Sequence, residues 1–333
     1  MRRIAIVVGA VSFTVMAGGG TALAEPSLHP SERISASPVS AENPSPERPL
    51  VAVAHRGASG HAPENTLAAI EAAGRLGAET VEVDVQLTSD GEPVLMHDTS
   101  LERTTDIEEV HPDLDSYDVG DLTLEQIEQV EAGSWFDPVF EGEPVPTLSD
   151  ALDTLESLDL NLFLEVKDPE VHPGIEETLA EELSSRDHWM EQNPAWEPRR
   201  LVVESFDWES MEASKELLPS IPHGLLGEVP EDELGDYEWA HMVNPSHDGL
   251  TGDYVEAVHE AGYEIMPYTI NEQDRMVELL ELGVDGFVTD YPDVGQDAIA
   301  EFEGDQETEP VQEPEELADQ LPADEPEAEP AAD

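Results

Sequence analysis

The sequence has no cysteine in 333 residues, so neither disulfides nor thiolate chemistry are open to it, and a hydrophobic core must hold any folded part together. Lysine is almost as scarce, Lys167 and Lys215 being the only two. Against 13 Lys+Arg stand 78 Asp+Glu, a formal net charge of −65. Long-range repulsion at that charge excludes nucleic acid and anionic membrane surfaces as partners. No second long apolar run follows the first 16 residues, so no stable membrane anchor is expected.

What is present divides the chain into zones. Residues 1–24 read as a secretory signal peptide, with Arg2 and Arg3 as the charged start, an apolar run from Ile4 to Met16, and an A-x-A cleavage site at Ala22 and Ala24. The arginine pair does not decide between Sec and twin-arginine export. A secreted, extracellular protein beginning near Glu25 is expected. Residues 25–49, rich in Ser, Pro and Glu, read as a disordered spacer, and residues 301–333 as a disordered acidic tail. That tail holds 14 acids and no base, a minority of the 78, so the acidic excess belongs to the body as well. Self-repulsion of this size is tolerable where salt screens it, since the Debye length falls to ~3 Å at 1 M. The expectation is a salt-adapted protein.

Residues 50–300 alternate strand-like and helix-like runs. LVAVAH (50–55), TVEVDV (80–85), LNLFLEV (160–166), LVVESF (201–206), HGLLGE (223–228), WAHMVN (239–244), YEIMPYTI (263–270) and DGFVTD (285–290) read as strands. ENTLAAIEAAGRLG, TLEQIEQVEAG, PGIEETLAEELSS, WESMEASKELL, TGDYVEAVHEAG and NEQDRMVELLELG carry helical periods, several ending at Gly as helix C-caps prefer. Eight strands alternating with helices predict an α/β fold, a TIM-type (β/α)8 barrel. The run PVLMHD (93–98) is left over. The turn Ser89–Asp90–Gly91 is too short for a parallel crossover, so this run folds back as a β-hairpin extension of the second strand. Folding about Asp90 sets His97 opposite Val83, beside Glu82 and Asp84.

Val81 to Asp84 reads VEVD, so Glu82 and Asp84 share one face. In a chain this acidic, a solvated strand face accounts for two acids without any function. The other strand ends shift that balance. The first strand ends in His55 and Arg56, and the third carries Glu165 and Lys167. A barrel mouth would thus gather two His, three acids, and an Arg and a Lys from a chain poor in both. Converging carboxylates call for a cation, and all-oxygen ligation fits Mg²⁺ or Ca²⁺. Cations facing phosphoryl oxygens and two imidazoles exchanging protons suit phosphate-ester chemistry.

AHRGASGHAPENT, VEVDVQLTSDGEPVLMHD, LERTT, LEVK, ESF and GVDGFVTDYP, in this order, resemble the glycerophosphodiester phosphodiesterase family from about Leu50 to about Ala300. The resemblance implies a TIM-type barrel that hydrolyses a small-molecule glycerophosphodiester to glycerol 3-phosphate and an alcohol with a divalent cation. It implies His55 and His97 as the acid/base pair, Glu82, Asp84 and Glu165 as metal ligands, and Arg56 and Lys167 as phosphate contacts. It further implies that the glycerol 2-hydroxyl attacks phosphorus, giving a cyclic phosphate that water opens while the two histidines exchange roles. Glu64, in the ENT motif, joins the metal shell or braces it, and the motif also suits a helix start.

This chain has Tyr268 in YTIN where the family often has Trp, which leaves the head-group preference open. Phe206 and Tyr268 are candidates to line the pocket. Asp285 and Asp290 fit an end-strand motif with no role that spacing assigns, a turn residue being one reading of Asp290. His61, His111, His241, His247 and His259 have no partner pattern and read as surface residues. The acidic run 106–121 lacks EF-hand spacing and reads as a solvated insertion. Two other functions remain open. A phospholipase or sphingomyelinase-D-like enzyme would need an apolar rim, which this acidic chain does not show. A catalytically idle cation-binding barrel would be missing a key group, and all are present.

Overall fold

The computed structural model describes residues 48–308, with side chains through Gly304. The expected signal peptide, all but the last two residues of the spacer, and the tail beyond Thr308 lie outside the described residues. Arg48, at the end of that spacer, donates from NH1 to Glu197 O at 2.8 Å. The acidic tail was expected from residue 301, but the helix Pro292–Thr308 runs across that boundary.

Among the described residues nine strands form: β1 (Val51–Ala54), β2 (Thr80–Leu87), β3 (Pro93–Leu95), β4 (Asn161–Val166), β5 (Leu201–Ser205), β6 (His223–Leu226), β7 (Met242–Asn244), β8 (Glu264–Ile265) and β9 (Gly286–Thr289). All but β3 pair in parallel in the order β8-β7-β6-β5-β4-β2-β1-β9. Across the remaining seam, Asp285 N–H donates to Ile265 O at 3.1 Å and Val288 N–H to Pro267 O at 2.9 Å. These bonds draw the sheet into the expected, nearly closed eight-stranded barrel. β8 is shorter than its sequence run because Pro267 has no N–H to give to a ladder.

Helices cover the outside. Those at Leu67–Arg75, Leu148–Ser157, Trp208–Leu217 and Gly252–Glu260 are capped by Thr66, Thr147, Asp207 and Thr251, whose side chains accept the first-turn N–H of Ala69, Asp150, Ser210 and Tyr254 respectively. Their apolar faces meet the outward residues of the strands. Val81, Val83 and Val85 of β2 join the core that holds Ile70, Ala73, Leu152 and Leu155. The alternate residues of the barrel face the lumen, whose floor is a separate apolar plug of Val51, Val53, Phe163, Val202, Met242, Met266 and Val288. Glu82 and Asp84 therefore sit above that plug, buried to 2% and 0% exposure, and the solvated-face reading is excluded.

Between β2 and β4 the chain builds a second small core from Val94, Met96, Leu101, Ile107, Val119, Leu122, Ile127 and neighbours. The acidic run 106–121 is thus a packed insertion rather than a wholly solvated one, because Ile107 and Val119 are fully buried beneath its acids. TLEQIEQVEAG yields only the single turn Leu124–Ile127. Glu131 accepts the N–H groups of Gly133 and Ser134, which bends the chain into a loop where the helix was expected to continue. His61 and His259 are exposed as expected, but His111, His241 and His247 are half-buried. The last two are drawn in by backbone bonds, His241 N–H to His223 O and His247 N–H to Tyr268 O. Among the described residues no helix is long and apolar enough to cross a membrane.

Candidate active site

At the carboxyl end of β1 the chain turns sharply through two left-handed residues, Arg56 (φ 54°) and Gly57 (φ 81°). A side chain at Gly57 would place its Cβ 2.6 Å from Ala69, so only glycine fits against the following helix. The turn aims the Arg56 N–H at Glu82 Oε2, 2.8 Å away, and leaves His55 at the mouth. Arg56 NH1 then reaches Glu64 Oε1 at 2.8 Å, and its Nε lies 3.4 Å from Asp84 Oδ2. Burial works against the Arg56 charge, but those carboxylates, Asp84 with the larger effect and then Glu64, outweigh it and raise its pKa above the ordinary value.

β3 pairs antiparallel with β2 in the register the turn predicted, with Val85 opposite Leu95, and His97 follows two residues beyond the end of β3. His97 Nδ1 and Asp98 Oδ1 are 2.7 Å apart. Arg103 grips Asp98 and Glu64 together, donating from NH2 to Glu64 Oε1 at 2.7 Å and from Nε to Asp98 Oδ2 at 2.5 Å. The Arg103 bonds hold the Asp98 carboxyl down to about 2. Burial, aided by the nearby Arg56 and Lys167 charges, lowers the His97 pKa against the pull of Asp84 and Asp98, keeping the imidazole neutral at pH 7.

His55 has the matching arrangement on the other side. Its Nδ1 is 2.6 Å from Asp290 Oδ1, and Asp290 also accepts bonds from Asn271 Nδ2 at 2.7 Å and Ser59 Oγ at 3.0 Å. Burial works against the Asp290 charge, but the bond from His55 and these donors hold its pKa down to about 2. An ionised aspartate at Nδ1 requires Nδ1–H, which leaves Nε2 of each ring to exchange a proton with a bound molecule. Asp290 is therefore more than a turn residue. It was not legible as a partner of His55, since the contact spans 235 residues, nor was Asn271 as a partner of Asp290.

Glu82, Asp84 and Glu165 converge, with one oxygen from each lying within 4.8 Å of the others. Burial, then the charges of Asp84 and Glu165, push the Glu82 pKa well above the usual carboxylate range. Glu165 is raised for the same reasons, burial first and Asp84 next, despite Lys167 Nζ at 2.6 Å. Asp84 stays ionised because Arg56 and then Lys167 outweigh its burial. Asn65 fixes it, donating from Nδ2 to Oδ2 at 2.7 Å. Glu82 Oε1 and Asp84 Oδ1 are buried with no hydrogen-bond partner. Converging carboxylates with orphaned buried oxygens are the donor set of a hard divalent cation, so these residues fit one. Glu64 stands outside that group and is occupied by Arg56 and Arg103, which makes it a brace.

The expected residues His55, Arg56, Glu82, His97, Glu165, Lys167, Phe206 and Tyr268 line a single cavity of about 260 Å³. Asp84 lies just beneath it, 3.6 Å from Lys167 Nζ. The Phe206 and Tyr268 rings meet edge to face at 5.8 Å. A fourth buried acid, Glu204, also lines the cavity, and the sequence reading gave it no role. Burial pushes its pKa up to about 7 although Asn244 Nδ2 donates to it at 2.5 Å. Gly224 leaves room for that pair, since a Cβ there would lie 3.0 Å from Asn244 Nδ2.

The model of the Glycerophosphoryl diester phosphodiesterase family matches residues 55–294. The protein YhdW of Bacillus subtilis (strain 168) is 35% identical over 247 residues, covering 72% of this chain and 94% of its own. A glycerophosphodiester phosphodiesterase of the same organism is 33% identical over 267 residues, covering 75% of this chain and 86% of its own. Among solved structures, the Oleispira antarctica phosphodiesterase in complex with the product sn-glycerol-3-phosphate has a TM-score of 0.66 and 30% identity, covering 75% of this chain and 96% of that one. Barrel, mouth residues and a match from His55 onward agree: the chain belongs to the glycerophosphoryl diester phosphodiesterase family and to its class of phosphodiester-hydrolysing enzymes.

Proposed function

We propose that the protein hydrolyses small glycerophosphodiesters to glycerol 3-phosphate and an alcohol, with His55 and His97 as acid/base pair. The observation that carries this reading is the pair of imidazoles, each held at Nδ1 by an aspartate, lining one cavity with Glu82 and Glu165 of the acidic triad. One histidine takes the proton from the attacking glycerol 2-hydroxyl while the other protonates the leaving alcohol. Reversed roles then let water open the cyclic phosphate. Lys167, and Arg56 behind it, face the phosphoryl oxygens and oppose their charge. Glu82, Asp84 and Glu165 would hold Mg²⁺ or Ca²⁺, which when bound would polarise the phosphoryl group. The resemblance to a phosphodiesterase solved with sn-glycerol-3-phosphate supports the product assigned. Incubation with glycerophosphocholine should release glycerol 3-phosphate with Mg²⁺ or Ca²⁺ and not with EDTA. Equal release in all three arms would remove the cation from the account.

The protein is further proposed to be exported and salt-adapted, a reading supported by the residue 1–24 pattern and the net charge of −65. Its unfolding midpoint should rise by roughly 10 °C between dilute and multimolar NaCl as screening relieves self-repulsion. An unchanged midpoint would remove salt adaptation. Protein recovered from the medium should begin near Glu25, and recovery only inside cells would remove export.

A further inference from the structure

A second cavity, about 580 Å³ in volume, adjoins the catalytic one and shares Glu165, Lys167 and Phe206 with it. Beyond Phe206 its walls are Trp208, Tyr237 and Trp239. The whole chain has 5 Trp, 6 Tyr and 7 Phe, so four aromatics around one cavity is a concentration that composition does not supply. The rings are held in place. Trp208 Nε1–H donates to Leu226 O at 2.9 Å, and the Tyr237 ring stands 5.2 Å from Trp208 at 77° and 6.4 Å from Trp239 at 79°. Successive near-perpendicular rings make the corner of a box. Phe206, 55% exposed, closes the side toward the catalytic cavity.

The polar part of the lining is almost entirely anionic, with Asp168, Glu170, Asp207, Glu209 and Glu212 around the rim. The one cation in the lining, Lys167, is engaged by Glu165 at 2.6 Å. Acids are common in this chain, so the rim alone would say little. Aromatic faces beside carboxylates, in a cavity continuous with the phosphate-facing lysine, are the environment that binds a weakly hydrated organic cation. An anionic alcohol would meet the rim unfavourably, and a neutral polyol would gain nothing from the rings.

We propose that this cavity receives the alcohol part of the substrate and selects alcohols that carry a quaternary ammonium or amine group. The proposal rests on the phosphodiesterase reading for its substrate, whereas capture of an organic cation by the cavity can be measured without turnover. Two assays separate these. In the first, kcat and KM are measured for glycerophosphocholine and for glycerophosphoglycerol, whose alcohol part carries no charge, in wild type, Trp239→Ala and Glu212→Gln. The KM for glycerophosphocholine should rise about tenfold in Trp239→Ala and less in Glu212→Gln, with kcat and both constants for glycerophosphoglycerol little changed. Equal shifts for the two substrates, or none, would overturn the proposal. In the second assay, choline chloride is titrated against the intrinsic tryptophan fluorescence of wild type and of Glu212→Gln, which keeps every indole. A saturable change that weakens in the variant is expected, and no saturable change in wild type would overturn the proposal. Should neither diester be turned over while choline still binds, the phosphodiesterase reading fails and the cation site stands.

Discussion

Replacing Glu82 by Gln is expected to act in opposite directions on activity and on stability. Turnover supported by Mg²⁺ or Ca²⁺ should fall by about 10³-fold, the scale of several kcal/mol of lost charge stabilisation at the phosphoryl group. The cation-free protein should become more stable, with a melting temperature higher by roughly 5 °C, because one of three mutually repelling buried acids is gone. The pH dependence has a definite sign. Burial and the charges of Asp84 and Glu165 raise the Glu82 pKa in the folded state above its unfolded value, so between those two values the folded protein binds more protons. Stability attributable to Glu82 is therefore greatest at low pH and declines as pH rises toward the folded pKa. Glu82→Gln removes that decline. Added cation should raise the melting temperature of the wild type at pH 8 and do so far less in the variant, since binding needs the deprotonated triad. Thermal melts with and without EDTA measure all of this, and a variant that is less stable without cation, or as active with it, would contradict the assignment.

His55→Ala and His97→Ala should each lower kcat by about 10²–10⁴-fold while leaving the melting temperature close to that of the wild type. Both rings are partly exposed at the mouth, with side-chain exposures of 18% and 31%, so truncation opens no large internal hole. Asp290→Asn keeps the His55 ring but removes the anion at Nδ1, and should cost less than loss of the ring itself. Because Asp84 and Asp98 do not overcome burial at His97, its folded pKa lies below the ordinary value and the neutral base persists to lower pH. The acidic limb of the wild-type pH–rate profile should move to lower pH in Asp98→Asn, which removes a group that favours the charged ring and also frees the Arg103 cation. A limb that stays in place or moves to higher pH would contradict the pairing of His97 with Asp98.

The barrel and most of its mouth were legible because they follow from local spacing. The hairpin register depends only on where the Ser89–Gly91 turn lies, and the structure has the expected one, with Val85 opposite Leu95. The sharing of one face by Glu82 and Asp84 follows from the strand period, but whether that face met water or a lumen needed the other strands. Partners supplied by distant segments left no such trace. Asp290 meets His55 and Asn244 meets Glu204 only because β9 lies beside β1 and β7 near β5. Composition concealed the second core under the 106–121 acids, since Ile107, Val110, Leu114, Tyr117 and Val119 are scattered among them and pack only once the insertion has folded. The aromatic cavity was equally hidden, its rings coming from separate segments after β5 and β6.

A ³¹P NMR time course on glycerophosphocholine with Mg²⁺ or Ca²⁺, for wild type, His55→Ala and His97→Ala side by side, tests the two-histidine site most directly. The account predicts that the wild type converts the diester to glycerol 3-phosphate and that both variants, though folded, leave it essentially unchanged over the same period. Phosphocholine as the product, or turnover that survives in either variant at the wild-type rate, would contradict it.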